Sequence, residues 1–98
     1  MRKNTDQYKN EFLKTLTLIA KDERLLVDFT KDILTPKELD TIATRWQIVK
    51  KLAKGEHHHA IAGDLGLGVA TVTRGSREMR KEHGGIRRAL RYLKMLHK

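Results

Sequence analysis

Cysteine is absent from the 98 residues, which excludes disulfides and thiolate zinc sites. Proline occurs once, and the aromatic side chains are two phenylalanines, two tyrosines and one tryptophan. Period-2 alternation of apolar and polar residues is missing as well. Nothing therefore supports a half-buried strand, and an RNA-stacking platform on a sheet has no material. No apolar run approaches membrane-spanning length and no signal-peptide pattern opens the chain, so the expectation is a cytoplasmic protein with no membrane partner. No nucleophile stands beside a local base, and Gly66-Leu67-Gly68 lacks the preceding strand that a nucleotide loop needs. These gaps argue against an enzyme, and no cofactor for chemistry is expected.

What the chain has in excess is positive charge. Lys and Arg number 21 against 12 Asp and Glu, a formal net charge of +9. Such an excess fits a polyanionic partner, nucleic acid ahead of an anionic membrane surface. The charge is uneven: Arg77, Arg80, Lys81, Arg87, Arg88, Arg91, Lys94 and Lys98 face only Glu78 and Glu82 over residues 77–98. With 39% hydrophobic and 34% charged residues the composition is globular, and the length predicts one domain over residues 1–98. A domain this small buries a modest share of its surface alone and often completes its core by oligomerising.

Apolar residues recur at three and four positions, which predicts an all-α fold. A first helix is read from Tyr8, Phe12, Leu16 and Ile19. A second starts at the N-cap Asp22 and presents Leu25, Leu26, Phe29 and Ile33. Thr35-Pro36-Lys37-Glu38 is the clearest local signal: Thr35 caps, Pro36 takes the first helical position, and Glu38 closes a capping box. The third helix runs through Leu39, Ile42, Trp46, Val49 and Ala53 to Gly55, a suitable residue just past a helix end. Trp46 is read as a core or interface residue. After Gly84-Gly85 a last helix points Ile86, Ala89 or Leu90, Leu93 and Leu96 inward, with Arg87, Arg88, Arg91, Lys94 and Lys98 opposite. The expected organisation is a helical dimerisation core over 1–55, a helix-turn-helix over 57–80 and a C-terminal helix over 84–98.

The middle block rests on spacing. Ala62 is small where two helices would cross, and Gly66, four residues on, can adopt positive φ in a tight turn. Val72, ten residues after Ala62, would plug the angle between the helices with Ile61, Leu65 and Val69 around it. The first motif helix is read from Glu56 to Leu65, and the second begins near Val69 with Gly68 as N-cap. Val69, Ala70 and Thr73 would present small apolar and hydroxyl groups to base edges, with Arg74 at the margin. Thr71, Arg77, Arg80 and Lys81 would touch phosphates, which position a protein without reading sequence. His57, His58 and His59 cannot converge on one metal ion from one regular helix, since neighbours point about 100° apart. His58 and His59 are instead candidate DNA contacts, strengthened by protonation if they lie near phosphate.

Two blocks carry a resemblance: Leu34-Thr35-Pro36 with Ala43-Thr44-Arg45-Trp46-Gln47-Ile48-Val49, and Ala70-Thr71-Val72-Thr73-Arg74-Gly75-Ser76. Together with the order of the predicted helices they resemble the Trp repressor family over about residues 8–98. The resemblance implies a six-helix intertwined homodimer that binds double-stranded operator DNA when L-tryptophan acts as corepressor. It implies that Thr35 and Arg45 engage the corepressor, Arg45 through its carboxylate, and that Arg74 and Gly75 wall in the indole ring. Three positions depart from the family pattern. Glu78 stands where Ser is frequent near the ligand's amino group, Asp32 replaces an apolar wall residue, and the first motif helix is about one residue shorter. Two alternatives stay open: a regulator of the same fold with another ligand or none, and a basic helical nucleic-acid-binding module without operator specificity.

Overall fold

The computed structural model describes residues 4–81 and 83–96. Among these residues there are six helices and no strand, as the three- and four-residue apolar spacing predicts. The chain divides into two compact units, residues 1–39 and 40–98.

The first unit holds α1 (Thr5–Ile19), α2 (Glu23–Ile33) and the opening turn of α3 (Pro36–Ala53). Asp22 starts α2 by accepting a hydrogen bond from the Leu25 N–H at 3.0 Å. The Thr35 hydroxyl accepts from the Glu38 N–H at 3.1 Å, and the Glu38 carboxylate accepts from the Thr35 N–H at 2.8 Å. That reciprocal pair satisfies two donors a helix start leaves orphaned. Phe12 of α1 and Phe29 of α2 stack with ring centroids 6.3 Å apart. No described residue of α1 or α2 is buried.

The second unit holds the rest of α3, α4 (His58–Leu65), α5 (Val69–Met79) and α6 (Gly85–Tyr92). Ile48, Ile61, Ala62 and Val72 form one buried cluster, with Leu52, Leu65, Leu67 and Val69 around it. Ala62 and Val72 occupy the positions their spacing predicts, and Ile61 and Val72 are fully buried. Each such aliphatic side chain contributes about 1.5–3 kcal/mol by leaving water. Gly66 takes φ +67° and ends α4, and the Leu67 N–H reaches back to the Ala62 carbonyl at 2.8 Å. A second cluster joins Val49 and Ala53 of α3, Met79 of α5 and Leu90 of α6. Leu90 is fully buried whereas Ala89 is exposed, which settles the choice between those two; Leu93, read as inward, is exposed because the helix ends at Tyr92.

Two helix bounds differ from the sequence reading. The helix α4 starts at His58 rather than Glu56, because the Glu56 N–H closes the end of α3 on the Lys51 carbonyl at 3.1 Å. Gly55, at φ +88°, makes the reversal there. The helix α6 stops at Tyr92 although the apolar pattern runs on to Leu96. Lys94 adopts φ +58°, and the Met95 N–H bonds to the Leu90 carbonyl at 2.8 Å, a left-handed helix stop that returns the chain so that Leu96 packs on the second cluster. Arg87, read as an outward cation, is half-buried and donates to the Met79 carbonyl at 3.0 Å. Lys98, assigned to the outer face, lies outside the described residues.

Candidate functional site

Within the second unit, α3 and α5 enclose a cavity of about 710 Å³. Its wall from α5 comprises Thr71, Arg74, Gly75 and Glu78, residues that share one helix face through three- and four-residue steps. Thr44, Arg45, Ile48 and Val49 line it from α3, and Ile86 of α6 and Leu67 of the α4–α5 connection also reach it. Ile48 and Val49 are 2% exposed and give the cavity an apolar floor. Arg45, Arg74, Arg77, Asp40 and Glu78 are exposed side chains of the same lining and give it a charged rim. An apolar floor under guanidinium groups suits a flat apolar body carrying a carboxylate, which Arg can pair or stack upon. The two carboxylates on the rim suit a cationic group.

Gly75 has a structural reason at this place. A Cβ there would meet the Ile48 Cγ2 methyl at 2.8 Å, so α5 lies as close to α3 as glycine permits. Glu78 is already engaged: its Oε1 accepts from the Lys81 ammonium at 2.9 Å, an exposed pair one turn apart.

Of the expected ligand residues, Arg45, Arg74, Gly75 and Glu78 are brought together on this cavity. Thr35 stands in the first unit as the N-cap of α3; its hydroxyl oxygen serves the capping box and keeps a proton to donate. Asp32 is exposed near the end of α2, in the first unit. Thr44, Ile48 and Leu67 line the cavity as well, although sequence spacing gives them no ligand role. Thr71, expected at phosphate alone, stands three positions before Arg74 on the cavity face.

The candidate nucleic-acid contacts gather around α4 and the start of α5. Gly68, in extended conformation, precedes α5; Ala70 and Thr71 are exposed on its first turn, and Arg77 is exposed further along. Val69 is half-buried because it packs on the Ile61 cluster. His59 is exposed at the start of α4. Thr73 is half-buried, with its Oγ1 at 3.5 Å from Nδ1 of His58. Among the described residues no group of three His, Asp or Glu could hold a metal ion, and no helix is long and apolar enough to cross a membrane.

Comparison with known proteins adds an independent line. The Trp repressor protein family matches residues 8–94. A Trp operon repressor homolog of Photobacterium profundum is 36% identical over 73 residues, covering 74% of this chain and 67% of that protein. A homolog of the same name from Vibrio cholerae is 38% identical over 64 residues, covering 64% of this chain and 62% of that protein. For the Vibrio vulnificus homolog, 43% identical, the match spans 49 residues and about half the length of either chain (49% and 48%).

Proposed function

This chain belongs to the Trp repressor family, a family of DNA-binding regulators rather than enzymes, and from that membership we propose a homodimeric, sequence-specific DNA-binding repressor whose corepressor is L-tryptophan. In this reading α4 and α5 are the two helices of a helix-turn-helix, and α5 is the recognition helix. One observation carries the proposal: α5 lines the ligand cavity with Arg74, Gly75 and Glu78 while it exposes Ala70 and Thr71 on its first turn. Ligand wall and DNA reader are then two faces of one helix.

The mechanism follows from that double use. The indole ring occupies the apolar floor over Ile48 and Val49, flanked by the Arg45 and Arg74 guanidiniums, and Arg45 pairs with the ligand carboxylate. A filled cavity favours the orientation of α5 that fits the major groove, so ligand and DNA raise each other's affinity by the same factor. Ala70 and Thr73 contact base edges, with Val69 beside them. Gly68, Thr71, Arg77, His58 and His59 contact phosphates and set the register. Dimerisation is supported by α1 and α2, which bury no residue of their own and expose Tyr8, Leu13, Leu18 and Leu25. A cytoplasmic location, beside the DNA, belongs to the same reading.

Glu78 favours a second reading, a different ligand or none, because a carboxylate stands on the rim where the family often has Ser and is already paired with Lys81. Titration calorimetry with L-tryptophan, with and without operator duplex, separates the two. The first reading expects saturable heat that Arg74→Ala removes, and tighter DNA binding when ligand is present. No heat at millimolar tryptophan, with DNA specificity intact, would sink the tryptophan assignment. Equal affinity for selected and random duplex at one stated salt would remove operator specificity and leave the non-specific electrostatic term.

A further inference from the structure

Thr73 does not stand clear of the protein. Its hydroxyl lies 3.5 Å from Nδ1 of His58, fifteen positions earlier and on the other helix. Resting on the DNA-reading role given above to α5, we propose that His58 is a specificity-determining residue. Its ring sets the hydrogen-bond polarity of the Thr73 hydroxyl, and so the class of base edge that α5 accepts.

A threonine hydroxyl has one proton to donate and two lone pairs to accept with. When Nδ1 of His58 carries no proton it is an acceptor, and the Thr73 O–H donates to it. Only the lone pairs of Thr73 then remain for DNA, and they suit the amino groups of adenine and cytosine. A proton on Nδ1 reverses the bond: the ring donates, and the Thr73 proton is released outward. The hydroxyl then suits the acceptors of guanine and thymine. In the proposed neutral form the ring carries its proton on Nε2 and leaves Nδ1 an acceptor for Thr73, whereas the imidazolium holds a proton on each nitrogen. Acidification through the range where histidine gains charge therefore commits Nδ1 to the donor role.

On α4 and its cap the neighbouring titratable groups are His57, His59 and Asp64. The helix α5 brings Arg74, Arg77 and Glu78. From α3, the Lys51 ammonium lies 3.6 Å from Glu56 and 3.7 Å from Asp64. Among the described residues no carboxylate oxygen lies within 4.0 Å of a ring nitrogen of His58. Arg77 stands four positions after Thr73 on the same face of α5. Any histidine near a phosphate would, on protonation, also strengthen binding to every duplex alike. Base preference is independent of that uniform gain, and it is the quantity to measure.

The experiment is selection of the full chain, saturated with L-tryptophan, from a randomised palindromic duplex library at about pH 8 and about pH 6 at one salt. Wild type is expected to change its preference at one position of each half-site, from adenine or cytosine towards guanine or thymine. The expected change is about 2- to 10-fold, the ratio that one net hydrogen bond supports. Thr73→Val keeps the shape and removes the hydroxyl, so the change disappears; Thr73→Ser restores it. His58→Asn retains a preference that no longer depends on pH. Circular dichroism establishes that each variant is folded, and the wild-type comparison decides alone where one is not. An identical wild-type preference at both pH values overturns the proposal and leaves sequence-specific reading intact. So does a change that survives in folded Thr73→Val. No enrichment over random duplex at either pH overturns the DNA-reading role and this proposal together.

Discussion

At the scale of single residues the cavity between α3 and α5 is shaped by one missing side chain. Gly75 lets α5 approach the Ile48 methyl that any Cβ would meet at 2.8 Å. Ile48 is buried and β-branched, so it has no easy alternative rotamer. Gly75→Ala gains about 1 kcal/mol of helix propensity, against about 1–3 kcal/mol of overpacking. The expected result is a net loss of stability and a lower Tm by calorimetry, which shrinks when Ile48→Ala is added. Additive losses would show that the two sites do not touch. Glu78 makes a second test. Its pair with Lys81 is exposed on both sides, so Lys81→Ala is expected to change stability by about 0–1 kcal/mol. If Glu78 receives the ligand's ammonium, the same variant binds an α-amino acid ligand more tightly, because a competing cation is gone. Titration calorimetry reads this, and an unchanged affinity would place Glu78 outside the ligand contact.

At the scale of elements the helix ends carry the information. Lys94 holds the left-handed conformation at the end of α6, at φ +58°. A non-glycine residue there costs roughly 1–2 kcal/mol, part of which glycine returns through its looser unfolded chain. Lys94→Gly is therefore expected to stabilise the protein by about 0.5–1 kcal/mol, raising the denaturant midpoint at unchanged m. A fall would mean that the Lys94 side chain makes a contact worth more than the strain. This stop was illegible in the sequence: Leu93 and Leu96 continue the apolar spacing, and lysine is no turn signal. The starts and stops with a chemical marker were legible. Asp22, the Thr35–Glu38 box, Gly55 and Gly66 act through side-chain caps or positive φ, and all four do so in the structure. The cavity was legible where the family pattern names residues, as at Arg45 and Arg74. Thr44, Ile48 and Leu67 were not, since their roles arise only when α3 and α5 are brought together.

At the scale of the molecule, charge and apolar surface are divided between the two units. Residues 40–98 carry 13 Lys and Arg against 5 Asp and Glu, a net +8, while residues 1–39 carry 8 against 7, a net +1. In the proposed repressor the second unit would be the electrostatic partner for DNA. Its affinity is expected to fall linearly in log–log form with salt, by about 0.9 per phosphate neutralised. Arg77→Ala should weaken binding evenly across sequences and reduce that slope by about 1. A changed base preference with an unchanged slope would make Arg77 a base reader instead. The first unit poses the complementary problem, because its described helices bury nothing fully and present Tyr8, Leu13, Leu18 and Leu25 to water. Conformational entropy of about 1–2 kcal/mol per ordered residue has too little burial to oppose it in a lone chain. If a second copy supplies the missing burial, as the proposed homodimer requires, unfolding is coupled to dissociation and Tm rises with protein concentration. Gel filtration should then show a dimer, and Leu13→Asp should lower Tm and shift the protein towards monomer. A Tm independent of concentration, with a monomer on the column, would show that α1 and α2 fold without a partner.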